Sequence, residues 1–140
     1  MRVLLDTDVI LDFLLERKPF FLAASELLKL NANGAFDAYI SSITPINVFY
    51  IGRKIVGASK IRQGIDDLLR LVNVTAVDQP SLIQALGLPF RDYEDAVQHC
   101  CATAGSLAAI VTRNTSDYKN ATLPIFAPTE FLNHLKSQRS

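Results

Sequence analysis

The feature that most constrains the fold is an alternation between short apolar runs and longer amphipathic stretches. The short runs have the composition of buried strands, and they are RVLLD, FDAYIS, VTAVD, AAIVT and PIFAP. The stretches between them carry apolar residues at helical spacing and several end at glycine, which indicates helices. Strands that alternate with helices favour a mostly parallel sheet with helices on both faces. We therefore predict an α/β fold, a three-layer α/β/α sandwich with about five strands.

Length and composition predict one domain over residues 1–140, long enough to bury a core. Apolar residues make up 49% of the chain and charged residues 20%, which excludes a disordered chain. No apolar run approaches the ~18 residues that span a bilayer, and Asp6 comes too early for a signal-peptide core. We therefore expect a cytoplasmic protein without a membrane partner. The positive mean hydropathy predicts that a partner or a second copy covers some apolar surface.

The charge is balanced overall but uneven along the chain. A formal net charge of zero argues against a general nucleic-acid coat protein. No acid lies between Asp37 and Asp66, and the stretch carries a basic segment made of Arg53, Lys54, Lys60 and Arg62. The basic segment either contacts an RNA backbone or forms an ordinary solvated turn.

Helix boundaries predict structural roles for several polar residues. Asp8 is expected to cap the helix after the first strand, and Asp12 to be a solvated charge on it. Thr44 is expected to cap the third helix. In the helix RDYEDAVQHCCATA, an apolar face that includes Tyr93 predicts that Glu94 points away from that face.

Acidic and amide residues gather where the predicted strands end. Asp6 ends the first strand, and Asn114 and Asp117 follow AAIVT. Asp92 and Asp95 lie in the first turn of RDYEDAVQHCCATA. Because ligands of parallel sheets bind beyond the carboxyl ends of the strands, these residues can share one crevice. The helix dipole alone explains an acid such as Asp92, whereas a strand-end acid beside a core must be paired or bind a cation.

Converging carboxylates repel one another, and a divalent cation removes that cost when no lysine or arginine does. The adjacent Cys100 and Cys101 lack metal-ligand spacing, so the candidate ligands are oxygen atoms. Oxygen ligands suit Mg²⁺ or Mn²⁺ better than zinc. Because Mg²⁺ bridges to phosphate and activates water, phosphodiester hydrolysis is the predicted reaction class.

Four segments resemble, in order, the motifs of the PIN-domain family of small Mg²⁺/Mn²⁺-dependent nucleases, which includes VapC-like toxins. The segments are LLDTDVILD, SSITPINVFYIGRK, DYEDAVQ and VTRNTSDY, and they extend over nearly the whole chain. The resemblance implies an endoribonuclease in which Asp6, Asp95 and Asp117 bind metal and carry catalysis, with Asn114 in the fourth motif. We expect Asp92 and Asn114 to assist as further metal ligands. It also implies products with a 3′-hydroxyl and a 5′-phosphate.

The same resemblance implies partners other than the RNA substrate. Toxins of this family usually form homodimers and are silenced by an antitoxin that occupies the groove. We therefore expect the chain to be the toxin of a toxin–antitoxin pair, with a second copy and a cognate antitoxin as its protein partners.

One position departs from the family pattern, because Asn47 stands where the third helix usually offers a glutamate to the metal. Asn47 either ligates through its neutral carbonyl oxygen or completes a cap with Thr44. The loss of one negative charge should weaken Mg²⁺ binding, and Asp92 can compensate.

Residues beside the predicted metal site have two possible roles each. Thr7, Ser42 and Thr112 either hold water or phosphate, or make ordinary strand-end hydrogen bonds. Asp8 can help to orient the ligands, and Arg113 either contacts phosphate or pairs with an acid.

Two alternatives to a nuclease remain open from the sequence. The first is a non-catalytic PIN domain that binds RNA or protein, which the substitution at Asn47 favours. The second is a phospho-receiver domain with Asp78 as phosphoacceptor, but its late strand PIFAP lacks the required lysine.

Overall fold

A five-stranded parallel sheet forms the centre of the structure, a computed structural model that describes residues 1–138. The strands are β1 (Arg2–Leu5), β2 (Asp37–Ser41), β3 (Asn73–Thr75), β4 (Ala109–Val111) and β5 (Ile125–Phe126). Their order in the sheet is β3-β2-β1-β4-β5, and every pairing in the described range is parallel. The predicted parallel sheet of about five strands is therefore confirmed.

Helices connect the strands and cover both faces of the sheet. They are α1 (Thr7–Leu14), α2 (Phe21–Ala32), α3 (Thr44–Val56), α4 (Ala58–Leu69), α5 (Gln79–Leu86), α6 (Tyr93–Ala104) and α7 (Pro128–Gln138), with a 3₁₀ turn at Thr115–Tyr118. Among residues 1–138, no helix combines the length and apolarity needed to cross a membrane.

Successive side chains of β1 point to opposite faces of the sheet, which explains why a layer of helices covers each face. Val3 and Leu5 point to one face, where they join a core with residues of α1, α2, α3, α4 and α7. Leu4 points to the opposite face and packs with Ala102 of α6 and Ile110 of β4. Successive side chains of a strand face opposite sides, so β1 needs an apolar cover on both. The predicted α/β/α sandwich is confirmed.

The carboxyl ends of the inner strands open on one edge of the sheet. The Asp6 backbone N–H donates to the Val111 carbonyl at 2.9 Å, so the chain leaves β1 beside the end of β4. The Thr112 N–H donates to the Phe126 carbonyl at 2.9 Å, one residue beyond β4. After β2, the Thr44 hydroxyl lies 3.0 Å from the Thr7 hydroxyl. The residues that follow β1, β2 and β4 therefore meet in space, as the parallel topology predicts.

Two predicted helix caps are wrong. The N-cap of α1 is Asp6, not Asp8, because β1 ends at Leu5 and only one residue separates it from the helix. Thr44 is the first residue of α3, and its N-cap Ile43 makes no side-chain hydrogen bond. The Thr44 hydroxyl is instead buried in contact with other polar side chains at the carboxyl edge.

Candidate active site

Asp6 lies at the carboxyl edge of the sheet with 5% of its surface exposed. Its Oδ1 accepts hydrogen bonds from the Thr7 backbone N–H and from Gln98 Nε2, both at 2.7 Å. Its Oδ2 accepts a hydrogen bond from the Thr112 hydroxyl at 2.8 Å. These donors are neutral, so they fix the orientation of the carboxylate without supplying a full counter-charge.

The Tyr118 hydroxyl connects Asp6 to Asp95. Its oxygen lies 3.4 Å from Asp6 Oδ2 and 3.2 Å from Asp95 Oδ1, and it accepts a hydrogen bond from Gln98 Nε2 at 3.0 Å. Burial and then the charges of the two acids raise the pKa of this hydroxyl, so it keeps its proton. One proton serves one acceptor at a time, so Tyr118 donates to only one of these carboxylates at any moment.

Glu94 also reaches the site, although the sequence pattern predicts that it points away. Its Oε1 accepts from Asn47 Nδ2 at 2.8 Å, and its Oε2 accepts from the Thr7 hydroxyl at 3.0 Å. The prediction fails because it includes Tyr93 in the buried face, whereas Tyr93 is 46% exposed. The middle of α6 is buried on all sides, so a single apolar stripe does not give its orientation.

Asp6, Glu94 and Asp95 form an acid cluster with uncompensated charge. Burial and then the Asp6 charge raise the pKa of Asp95 to about 7. Burial is also the main cause that raises the pKa of Glu94, and the Asp6 charge adds to it. Within the described part of the chain, none of these three acids forms an ion pair with a lysine, arginine or histidine. The cluster therefore has the electrostatic character of a cation-binding site.

The residues after β4 and the cap of α6 surround the acid cluster. Asp117 is half-buried in the 3₁₀ turn and contributes to the raised pKa of Asp95. The Asn114 N–H donates to the Thr112 hydroxyl at 3.0 Å, while Asn114 itself is exposed. Asp92 is the N-cap of α6, where its Oδ1 accepts from the Asp95 N–H at 3.0 Å. Asp92 thus has the capping role that a first-turn acid commonly has.

The chemistry of the donors fits a hard divalent cation, because the cluster offers carboxylate oxygens and a neighbouring amide. Their present arrangement is not that of a closed metal site. Across residues 1–138, no three histidine, cysteine, aspartate or glutamate side chains are grouped so that they could hold a metal ion. Both oxygens of Asp6 are in contact with neutral donors. The observed side chains therefore describe a hydrogen-bonded, metal-free arrangement of suitable ligands.

Comparison with known protein families gives a direct result. A family model described as "PIN domain" matches residues 2–116, which is most of the chain. The chain belongs to the PIN-domain family. A comparison with curated proteins gave no match.

Solved structures of other PIN domains share the fold of this one. VapBC from Salmonella typhimurium, solved bound to DNA, has a TM-score of 0.70 at 20% identity over 91% of this chain and 98% of the other. A toxin–antitoxin complex from Klebsiella pneumoniae has a TM-score of 0.67 at 22% identity over 90% and 97%. VapC20 from Mycobacterium tuberculosis, described as a sarcin-ricin-loop-cleaving toxin, has a TM-score of 0.68 at 11% identity over 84% and 95%.

The two acids of α1 have different partners in this PIN domain. Asp12 is not a solvated charge, because it is 1% exposed and pairs with both Arg17 (2.9 Å) and Arg113 (2.6 Å). Arg113 therefore pairs with an acid, one of its two predicted roles, and its guanidinium also lies 3.9 Å from the centre of the Phe20 ring. Asp8 Oδ2 accepts from the Arg113 backbone N–H at 3.1 Å, whereas Asp8 Oδ1 is buried without a partner.

The predicted hydroxyl residues separate into two groups. Thr7 and Thr112 both contact acids of the cluster, as described above. The Ser42 hydroxyl accepts instead from the Val77 N–H at 3.1 Å, away from those acids. Ser41 is the serine of β2 that joins the network, since its hydroxyl lies 3.4 Å from Gln98 Oε1. Strand alternation sends these two neighbours in different directions.

The basic segment lies around the turn between α3 and α4. Gly57 follows Asn47 by ten helical residues, so the turn is about 15 Å along the α3 axis from Asn47. Arg53 lies 4.9 Å from the Tyr50 ring centre, and Arg62 lies 5.0 Å from that of Phe49. These arginines stack on aromatic rings of their own chain, while Lys54 and Lys60 are exposed. Their contact with RNA stays a prediction.

Sequence reasoning missed three residues that complete the site, namely Glu94, Gln98 and Tyr118. Gln98 follows Asp95 by three residues, which places the two side chains on neighbouring positions of one helix face. That spacing was a usable signal for Gln98, which is fully buried. Tyr118 follows Asp117 in a 3₁₀ turn, and no sequence period predicts that its hydroxyl contacts Asp6.

The half-buried Asp8 generates a prediction about how stability depends on pH. Burial and then the Asp6 charge raise the pKa of Asp8 to about 7 from its ordinary 3.8. The folded state therefore binds more protons than the unfolded state between these values, so the free energy of unfolding falls as pH rises from about 4 to 7. Asp8→Asn should reduce that slope by up to about 1.4 kcal/mol per pH unit. Urea unfolding in EDTA from pH 4 to 8 measures it.

A matched control for this experiment is Asp37→Asn, because Asp37 is exposed at the opposite, amino end of β2. This variant should keep the slope of the wild-type protein. A slope that is the same in Asp8→Asn and in the wild-type protein would contradict the prediction.

Proposed function

We propose that this PIN domain is a divalent-metal-dependent endoribonuclease and the toxin of a toxin–antitoxin pair. The observation that carries the proposal is the acid cluster of Asp6, Glu94 and Asp95, which lacks an ion-pair partner within residues 1–138. The fold is that of VapBC structures, and one neighbour is described as a sarcin-ricin-loop-cleaving toxin. These similarities in fold agree with the proposal, and a cluster of carboxylates that holds a divalent cation suits phosphodiester hydrolysis.

Oxygens of the acid cluster and of Asp117 would hold Mg²⁺ or Mn²⁺, with Asp92 and Asn114 close enough in the chain to assist. Bound Mg²⁺ would lower the pKa of a water molecule and neutralise charge that develops on the phosphate. Thr7, Gln98 and Thr112 hold the Asp6 carboxylate in one orientation before any ligand arrives. Such preorganisation lowers the cost of bringing the reacting groups together.

Removal of the central carboxylate tests the proposal. Asp6→Asn should reduce metal-dependent cleavage by at least about 100-fold, since it removes a charged ligand while keeping the side-chain shape. The measurement is cleavage of a mixed pool of structured RNAs with Mg²⁺, Mn²⁺ or EDTA. Asp37→Asn serves as the control and should cleave like the wild-type protein. Equal metal-dependent cleavage by Asp6→Asn would refute the proposed site.

A second candidate function is a non-catalytic PIN domain that binds RNA. It is favoured by the neutral Asn47 on α3 and by the absence, among the described residues, of a closed three-ligand group. Failure of the folded wild-type protein to cleave with any metal, together with measurable RNA binding, would select this alternative over the nuclease.

Glu94 supplies the carboxylate that the third helix lacks. Its Oε1 lies 2.8 Å from Asn47 Nδ2, so an acid from α6 reaches the polar group that α3 presents. The hydroxyl of Thr7 holds its other oxygen at 3.0 Å, and the Asp6 carboxylate is joined to the same Thr7 through the backbone N–H. In this proposal the negative charge is kept in the site and only the helix that carries it has changed.

The reciprocal exchange of the two residues tests this role of Glu94. Glu94→Gln should weaken Mn²⁺ binding roughly tenfold or more, because one charged ligand is lost. The double variant Glu94→Gln with Asn47→Glu should recover affinity by returning an acid to the site from α3. Electron paramagnetic resonance of free Mn²⁺ measures binding without any need for RNA cleavage.

The control for this exchange is Glu26→Gln, which removes an exposed carboxylate from α2. It should leave Mn²⁺ binding unchanged. If Glu94→Gln bound Mn²⁺ as tightly as the wild-type protein, the Glu94 carboxylate would not be a ligand. The asparagine at position 47 would then remove a charge from the site without replacement.

Apolar side chains of α3 support a protein partner. Ile46 and Ile55 are 58% and 62% exposed, and Tyr50 and Ile51 are exposed beside them. A groove of about 630 Å³ between α3 and α4 adds further apolar surface. Exposed patches of this kind commonly mark interfaces, and the structural neighbour from Klebsiella pneumoniae is described as a toxin–antitoxin complex. We infer a homodimer and an antitoxin as the partners of this surface.

Sedimentation velocity tests the homodimer. The wild-type protein should sediment as a dimer at micromolar concentration, and Ile55→Lys should shift it to a monomer by placing a charge in the interface. Lys54→Ala is the control on the neighbouring exposed position and should remain a dimer. A wild-type protein that is monomeric at about 100 μM would contradict the homodimer.

A further inference from the structure

A polar cavity of about 460 Å³ lies beside the acid cluster. Its walls come from the loop before α6 and from the segment around the 3₁₀ turn, and its lining residues are Pro89, Arg91, Ser116, Asp117, Lys119 and Asn120. Asn120 Nδ2 donates to the Pro89 carbonyl at 2.7 Å and joins the two walls. We propose that this cavity binds a backbone phosphate of the RNA next to the one that is cleaved.

The cavity adjoins the acid cluster because neighbouring residues of the chain belong to each of them. Asp117 lines the cavity, and the next residue, Tyr118, places its hydroxyl against Asp6 and Asp95. On the other wall, Arg91 immediately precedes Asp92, the N-cap of α6. Both walls therefore continue directly into the acid cluster, so a ligand in the cavity would adjoin a ligand at the acids.

The charges of the cavity distinguish it from the rest of this edge. Arg91 and Lys119 are exposed, and in the described part of the chain neither forms an ion pair, even with Asp117 in the same wall. Arg113, by contrast, is paired with the buried Asp12. Arg91 and Lys119 are thus two exposed cations near the acid cluster that have no ion-pair partner in the described part of the chain.

The chemistry of these groups selects a phosphate. An arginine guanidinium donates two parallel hydrogen bonds to phosphate oxygens, and a lysine ammonium adds a point charge. The Ser116 hydroxyl supplies a further neutral donor on the same wall. An acid cluster by itself repels a polyanion, so a nuclease needs cations beside its acids to hold the backbone in register.

This inference rests on the proposed function, because it assigns a contact to the RNA substrate. Its test is fluorescence anisotropy of a labelled single-stranded RNA with the full-length wild-type protein in EDTA, which prevents metal-dependent cleavage. Arg91→Gln and Lys119→Gln should each weaken binding roughly three- to tenfold. The dependence of log K on log salt should become shallower by about 0.7 for each lost phosphate contact.

Lys29→Gln is the matched control, since Lys29 is an exposed cation on α2, which packs on the other face of the sheet from α6. It should keep both the affinity and the salt slope. Mn²⁺ binding should be unchanged in all three variants, which separates a phosphate contact from damage to the acid cluster.

The outcomes distinguish this inference from the proposed function. RNA binding by the wild-type protein with unchanged affinity and slope in Arg91→Gln and Lys119→Gln would overturn the phosphate site and leave the nuclease proposal intact. The absence of any RNA binding by the wild-type protein in EDTA would overturn the phosphate site, whereas the nuclease proposal depends on the separate cleavage assay with Mg²⁺ or Mn²⁺. Weaker binding with a shallower slope in these two variants alone supports the phosphate site.

Discussion

The buried carboxylate of Asp6 is the constraint on which the rest of the site depends. It caps α1, terminates β1 and accepts hydrogen bonds from residues that belong to three different parts of the fold. A carboxylate that is 5% exposed must be solvated by protein groups, so Gln98 and Thr112 are held against it. The same contacts fix α6 and the end of β4 relative to β1. Asp6 therefore stabilises the packing of three elements and is also the central carboxylate of the proposed metal site.

Asp6 also determines the electrostatics of its neighbours. Its charge contributes to the raised pKa of Asp8, Glu94 and Asp95, in each case together with burial. Asp12, four residues after Asp8 on α1, is buried and pairs with Arg17 and Arg113, which are both partly exposed. Two arginines thus neutralise the charge of Asp12. In the acid cluster, by contrast, the carboxylates repel one another and have no ion-pair partner among the described residues. A protein that only needed stability would gain from a counter-charge at both places.

The Asn47–Glu94 contact places a carboxylate of α6 beside the α3 position at which the sequence departs from the predicted motif. The amide of Asn47 donates to an acid that comes from α6, and the hydroxyl of Thr7 holds that acid from the other side. In the proposed site, this α6 carboxylate joins Asp6 and Asp95, so three carboxylates lie together although α3 contributes none. The charge of a site is the sum over all the side chains that reach it, whichever helix or strand carries them.

The sequence by itself determined the alternation of strands and helices, the parallel sheet and the approximate position of each helix, because hydrophobic periodicity is a local property. It also predicted that Asp6, Asn114 and Asp117 lie at one edge, since parallel strands bring their carboxyl ends together. The family membership was predicted from four motifs and is confirmed over residues 2–116.

Only the tertiary structure decided which polar groups touch. The inward position of Glu94, the burial of Asp12 and the bridge from the Tyr118 hydroxyl to Asp6 depend on how whole helices rotate and pack. A helix buried on all sides, such as α6, carries no apolar stripe from which that rotation can be predicted. Contacts between residues as distant in the chain as Asp6 and Thr112 are fixed by the packing of the complete core, which no local pattern records.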